Sequence, residues 1–386
     1  MIYLETFKRE FRSIFKYKGM MILLFIGPIF LSLYFGGIYY NNYIKDIPIA
    51  ILDEDNSSLS NTVGNYFLTN ERFEIVNYPS SRDELENLID SGTVQMGIYI
   101  PQGFEGDVTT YKSSQILAIT DGTNIVVANN AIAQATLITQ SISAGIEMKL
   151  IQGKGVTPQV AENMALVYNI GERILFDPKM TYMNYLIICF LAVFVQQLIL
   201  SSMGSTFIRD HEYISSDNVL IKVLATMSAC FAGIIPATVI SLVILKNLFY
   251  VPIIGNIFTV LLMTVVFLVS LIGPSLLIAS ITKDRQKYSQ FSYMLSLPTF
   301  VSSGCVWPVE QMPKLVEIII RICWPVINYA KAVQEILIKG MSFKTIIPNM
   351  LHMGLFSLIW IPIGIACYKK AFKENTSVEL SMNTTY

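Results

Sequence analysis

MMILLFIGPIFLSLYFGGIYYNNYIKDIPIAILDEDNSSLS, residues 20–60, carries two different folding signals in one stretch. Residues 20–40 contain no Asp, Glu, Lys or Arg, and about 20 apolar residues are what a helix needs to cross a hydrocarbon core. Past Lys45 and Asp46, a short apolar run over 47–52 ends in Asp53-Glu54-Asp55-Asn56-Ser57. That is the composition of a strand running into a polar turn. The boundary predicts a membrane helix followed by a water-facing segment with mixed structure.

The rest of the chain repeats the first signal. Of 386 residues, 53% are hydrophobic and 14% charged, with mean hydropathy +0.52. A soluble chain carries roughly 25% charge, so this one is too apolar to be soluble throughout. Further uncharged runs occupy 183–207, 223–245, 252–282, 288–306 and 345–368, predicting six spans, with 288–306 the most polar. The first run is not a cleavable signal: its apolar core exceeds the usual length of roughly 7–15 residues and no A-x-A-like site follows. The net charge of −1 leaves no basic footprint for nucleic acid.

Lys8, Arg9, Arg12, Lys16 and Lys18 precede the first run, Arg209 and Lys222 separate the second and third, Lys283, Arg285 and Lys287 the fourth and fifth, and Lys369, Lys370 and Lys373 follow the last. Only Lys246 lies between the third and fourth. Lys/Arg excess marks the cytoplasmic side, so both termini are expected inside and 41–182 outside. That outer segment has strand-like runs at 47–52, 73–76, 94–100 and 116–119, with helix-like stretches at 58–68 and 81–89, the latter opened by the capping box Ser81-Arg82-Asp83-Glu84. A long helical pattern covers 124–152, and Thr157-Pro158 reads as the start of one more helix. Strands alternating with helices predict an α/β domain.

At the start, Ile2, Leu4, Phe7, Phe11, Ile14 and Phe15 recur at helical spacing among basic residues. This predicts a basic amphipathic helix over 1–18 lying on the cytoplasmic membrane surface, the alternative being an inward extension of the first span at 19–40. Residues 302–340 are broken by Gly304, Pro308 and Pro313, and Glu317 and Arg321 interrupt their apolar residues. They predict a re-entrant or interfacial helix packed against protein within the membrane region 183–368, and 369–386 a cytoplasmic tail. Cys189, Cys230, Cys305, Cys323 and Cys367 show no C-x-x-C spacing, so no zinc site is expected. A Cys305–Cys323 bridge is left open.

Gln196 and Gln197 lie in the middle of the second run. They read either as substrate-path contacts or as interhelical hydrogen bonds. His211 and His352 have no ligand partner at i+4, and no G-x-x-x-x-G-K-[ST] occurs. Metal binding is not expected, and any ATPase must be another chain. The run Asp53–Asn56 resembles the D-x-D-x-[TV] signature of aspartyl-phosphate phosphatases. A segment of about 140 residues facing away from the ATP pool favours the plainer reading, in which Asp55, Asn56 or Ser57 caps the next helix.

The chain closely resembles the ABC-2 family of export permeases. Ser303, Gly304, Pro308, Met312, Pro313, Pro325, Tyr329, Lys339 and Gly340 match, in order, the family's last-loop pattern. Asp53, Asp55, Asn56 and Ser57, with GIYIPQGFEGDV at 97–108, resemble the subfamily with a large external domain after the first span. The cytoplasmic R-E-x-E-x-G-T-x-E pattern is matched more loosely by Arg209, Asp210, His211, Glu212 and Asp217, with Ile214 and Ser215 in place of Gly and Thr.

The expected fold is an α-helical polytopic membrane protein with six transmembrane helices and an inserted extracytoplasmic α/β domain. The resemblance implies a permease subunit in a bacterial inner membrane that exports a drug, lipid, glycan or ion. Its partners would be a second permease subunit, identical or related, and a separate ATPase docked at Arg209, Asp210, His211, Glu212 and Asp217. It implies no covalent chemistry and no cofactor in this chain. The alternative is a non-transporting receptor or cell-envelope protein acting through its external domain.

Overall fold

The computed structural model describes residues 2–41, 43–165, 173–178, 181–215 and 218–383, with side chains in the last helix to 372. The chain divides into two compact units, one formed by Met1–Asn42 and Ile174–Tyr386, the other by Tyr43–Arg173.

The first unit opens with helix α1 (Ile2–Lys16) and α2 (Lys18–Ile38). Within α2, Pro28 has no N–H to return, and the helix takes a wider π turn over Ile22–Ile26 that ends with Gly27 N–H bonding Ile22 O.

The second unit runs β1 (Ile47–Asp53), α3 (Ser58–Leu68), β2 (Phe73–Asn77), α4 (Arg82–Asp90), β3 (Met96–Ile100), α5 (Phe104–Thr109), β4 (Leu117–Thr120), α6 (Ile125–Gln152) and α7 (Pro158–Ala165). The sheet order is β2-β1-β3-β4, with β1 parallel to both neighbours and β3–β4 antiparallel. β1 is central, which explains its unbroken apolar run: both of its faces are covered. Ile47, Ile49, Ile51, Met96, Ile98 and Ile100 pack with Val63 and Phe67 of α3 and with Ala131, Ala135, Ile138 and Ile142 of α6. Ala50 and Leu52 pack with Leu85 of α4 on the opposite face. The crossovers β1–α3–β2 and β2–α4–β3 run in opposite directions along the sheet, so same-handed connections require their helices on opposite faces.

The polar end of β1 is a capping turn. Asp53 Oδ1 accepts the N–H of Asp55 (3.0 Å) and Asn56 (3.1 Å), and Oδ2 accepts the Ser60 hydroxyl at 2.6 Å. Ser57 caps α3 through its hydroxyl and the Ser60 N–H, and Ser60 returns the bond to Ser57 N–H. Asp55 accepts N–H groups from Gly103 (2.8 Å) and Glu105 (3.0 Å), tying the turn to α5. A hydrogen bond with Ser57, helped by those backbone donors, holds the Asp55 carboxyl below its ordinary value.

After the second unit come α8 (Tyr182–Arg209), α9 (His211–Ser215), α10 (Val219–Asn247), α11 (Ile257–Thr282), α12 (Arg285–Val301), α13 (Lys314–Cys323), α14 (Val326–Lys339) and α15 (Phe343–Asn383). Among the described residues, five helices are long and apolar enough to cross a membrane: α2, α8, α10, α11 and the Phe343–Phe372 part of α15. The expected run 288–306 is shorter than read. α12 stops at Val301, and Gly304 turns the chain with φ +89°. α11 and α15 cross with no side chain between them: a Cβ on Gly273 would meet the Trp360 backbone, and one on Gly364 would meet Gly273. Small residues allow this close approach in a membrane.

Asp53→Ala should lower the unfolding free energy by about 1–2 kcal/mol, and Asp53→Asn by less, because the amide oxygen keeps the two backbone bonds. Thermal unfolding of the full chain measures this, and turnover of p-nitrophenyl phosphate with Mg²⁺ should be the same in both variants as in the parent.

Candidate functional site: an ionic corner and a polar core

The end of α8 meets α1 in a network of charges. Arg209 Nη2 donates to Glu10 Oε2 (2.7 Å) and Ser13 Oγ (3.2 Å), and its Nε to Asp210 Oδ2 (2.9 Å). Arg9 Nη2 donates to Asp210 Oδ1 at 2.6 Å, and its guanidinium lies over the Tyr213 ring at 4.4 Å. The Tyr213 hydroxyl bonds Thr6 (2.9 Å), and Lys222 Nζ donates to Tyr213 O (2.8 Å). α1 therefore docks through the stripe Thr6, Glu10 and Ile14. Of its apolar residues, Leu4 and Phe15 remain exposed, with Phe7 and Phe11 in the same row of rings as Phe15.

Burial lifts the Glu10 carboxyl to about 7, and the nearby Asp210 charge adds to the rise against Arg209 and Arg9. Burial also pushes Asp210 upward, but the hydrogen bond and charge of Arg209, with Arg9, outweigh it and hold Asp210 below its ordinary value. Glu10 is only 2% exposed and its second oxygen, Oε1, has no hydrogen-bond partner among the described residues.

Arg209 and Asp210 are thus bonded to α1. His211 is turned inward as well, with Nδ1 at 2.9 Å from Ile208 O and its ring 4.7 Å from that of Phe372. The Glu212 side chain and Asp217 lie outside the described residues.

Gln196 and Gln197 are both buried and both bonded. Gln196 Nε2 donates to Thr299 Oγ1 (2.9 Å), and its Oε1 accepts the Trp324 indole N–H at 2.6 Å. Gln197 Nε2 donates to Ser292 and Ser201 (3.2 Å each), and its Oε1 accepts Ser296 Oγ–H at 2.7 Å. The pair joins α8 to α12 and to the α13–α14 turn. In the loop after α12, Ser303 Oγ donates to Phe300 O (2.6 Å), Pro308 precedes a single 3₁₀ turn, and Met312-Pro313 leads into α13. Gly304 and Pro308 line a cavity of about 460 Å³ with Tyr185, Glu310, Lys331 and Glu335.

Two expectations about 302–340 change. Cys305 bridges to Cys189 of α8, with Cα atoms 6.1 Å apart, and Cys323 is free and exposed. Cys189 lies inside an apolar run, and such a context does not distinguish a small core residue from half of a bridge. α13 is not packed into protein: none of its residues is buried, and Leu315, Ile318, Ile319 and Ile322 stay exposed. α14 supplies the buried arm, including Ile327, Asn328, Tyr329 and Val333. Sequence reasoning also missed Arg9, Glu10, Tyr213 and Trp324 as network members, because nothing in the spacing links positions 128 to 207 residues apart.

Comparison with known proteins fits this architecture. A model of the family described as "ABC-2 family transporter protein" matches residues 18–366, and the chain belongs to that family. Similar proteins include the "Probable multidrug ABC transporter permease YbhR" of Escherichia coli K12, 22% identical over 312 residues, covering 78% of this chain and 81% of the relative. The "Inner membrane transport permease YhhJ" of the same organism is 22% identical over 378 residues, covering 94% and 95%. The "ABC transporter G family member 20" of Dictyostelium discoideum is 24% identical over 358 residues, covering 87% of this chain and 46% of the relative. The protein is a multi-pass membrane protein of the ABC-2 permease class.

Three outcomes check the site. Arg209→Gln should destabilise the protein by about 3–5 kcal/mol, because it leaves a buried carboxylate unpaired, and adding Glu10→Gln should restore much of the loss in thermal unfolding. A carboxyl raised in the folded state takes up a proton on folding, so its stabilising contribution is complete below the ordinary value of 4.5 and is lost as pH rises through about 7. The thermal midpoint should fall over that window, less steeply in Glu10→Gln, with Asp210 contributing the opposite slope only under acid conditions. Finally, maleimide under non-reducing conditions should modify Cys323 but neither Cys189 nor Cys305, which peptide mass spectrometry reads directly.

Proposed function

We propose that this chain is the permease subunit of an ATP-driven exporter that works with a separate ATPase and a second permease subunit. The family match over residues 18–366 carries the reading. Six crossings, both termini in the cytoplasm of a bacterial cell and the Tyr43–Arg173 unit outside complete it. The sixth crossing is α12, whose 17 residues reach about 26 Å, close to the hydrocarbon thickness of about 30 Å. The orientation is supported by the Lys/Arg distribution. It is also supported by the Cys189–Cys305 disulfide at the opposite end of α8 from Arg209, since disulfides persist in oxidising compartments.

In this reading the ATPase docks against the α8–α10 connection, at Arg209, Asp210, His211, Glu212 and Asp217, and the exposed Lys8, Arg12 and Lys16 of α1 add basic charge on the same side of the membrane. Arg9, Glu10, Arg209 and Asp210 hold α1 to the same corner, so movement there reaches α2 and α8 together. ATP drives a shift between two states by binding one better than the other. Relatives carry names that speak of multidrug permeases, and the cargo here is an organic compound moved outward.

Affinity purification of the tagged chain from its native membranes should recover a Walker-type ATPase and vanadate-sensitive ATP hydrolysis, and recovery without either would overturn the reading. Glu212→Lys should reduce that co-purification several-fold while leaving membrane insertion unchanged. A cysteine at Asn87, in a background without native cysteines, should react with an impermeant maleimide on intact cells.

A further inference from the structure

We infer that the turn of the α13–α14 hairpin binds the acidic group of an organic anion carried by this permease, with Arg321 and Asn328 as binding groups and Glu317 as the resident counter-charge. The word "carried" rests on the exporter reading; the binding does not.

Depth is the first observation. Trp324 bonds Gln196, which lies halfway along α8, and Trp360, past the midpoint of the Phe343–Phe372 span, donates its indole N–H to Ile322 O at 3.3 Å. The hairpin therefore turns at the middle of two separate candidate spans. Arg321 is the neighbour of Ile322, so a cation sits near mid-membrane although none of the uncharged runs contains one. Ionisable groups at that depth are costly and mark functional paths.

Chemistry is the second. Arg321 Nε donates to Glu317 Oε1 (2.9 Å) and Nη1 to Asn328 Oδ1 (2.8 Å), while Nη2 meets no partner among the described residues. The Arg321 and Glu317 side chains are 29% and 30% exposed, so a ligand can reach the fork. Asn328 is 2% exposed and uses its oxygen on Arg321, which leaves its amide hydrogens. Donors outnumber acceptors, since only Glu317 offers a second oxygen, and a planar fork with spare N–H groups suits a carboxylate or phosphate.

Placement is the third. The helical spacing puts Glu317 and Arg321 on the side of α13 away from Leu315, Ile318, Ile319 and Ile322. The apolar stripe is left for hydrocarbon, and the charges face the hairpin's second arm. Glu317 neutralises Arg321 when the site is empty, and an incoming anion takes over that role.

Heavy-atom quenching of tryptophan tests this without any ATPase, so a negative result leaves the exporter reading standing. The full chain carrying Trp307→Phe, in zwitterionic nanodiscs, keeps Trp324 and Trp360 as reporters. Iodobenzoate should quench saturably, and the neutral iodobenzamide only in proportion to its concentration. Arg321→Gln should raise the iodobenzoate midpoint about tenfold, and Glu317→Gln should lower it, with the amide unaffected in both. Equal behaviour of acid and amide, or an unchanged midpoint in correctly folded Arg321→Gln and Arg321→Lys proteins alike, would overturn the inference. Nanodiscs of phosphatidylglycerol separate the sources: retained saturable quenching assigns the site to cargo, while its loss assigns the site to a resident anionic lipid and removes the cargo assignment.

Discussion

A hairpin turn packed among apolar helices leaves carbonyl and N–H groups that hydrocarbon cannot solvate. The bundle depends on how this chain meets that demand. The Trp360 indole takes the free Ile322 carbonyl, Gln196 takes the Trp324 indole, and Thr299 takes the remaining Gln196 donor. One side chain in α8 thereby fixes the hairpin turn and α12 at once. Unpaired polar groups at such a site cost roughly 1–3 kcal/mol each, so the three elements hold one another in register. Seven residues back along α8, the Cys189–Cys305 bridge fixes the loop that leads into the hairpin.

The two ends of α8 use different chemistry for the same purpose. One end is joined covalently to the loop after α12. The other end is joined by charge to α1, where Arg209 stands between Glu10 and Asp210 and Arg9 closes the ring. Two carboxylates this close compete for the same guanidinium groups, and the more buried one yields. Glu10 is lifted toward neutrality while Asp210 stays ionised. A joint made of charges answers to pH and to a docked partner, whereas a disulfide does not. That contrast gives α8 one rigid end and one responsive end.

The Tyr43–Arg173 unit meets the same accounting with local means. Each carboxylate at the end of β1 is occupied: Asp53 by the turn and Ser60, Asp55 by the start of α5, and Glu54 by the Tyr99 hydroxyl at 2.9 Å. Acidic residues that resemble a phosphatase signature serve as caps there, because a strand feeding two helices leaves several N–H groups to satisfy.

The sequence by itself determined whatever is local. Apolar runs of spanning length, the β1 run, the capping serine at 81 and the breakers at Gly304, Pro308 and Pro313 are read from periodicity and composition, because the forces behind them act within a turn or a strand. The same local signal placed Gln196 and Gln197 at mid-helix. Tertiary structure alone decided what those groups touch. Cys189 pairs with Cys305 across 116 residues, and Arg209 meets Glu10 across 199. Arg321, which breaks no uncharged run, reaches mid-span because a hairpin folds back and carries it there. Partners of this kind follow from how helices pack, and packing has no period in the chain.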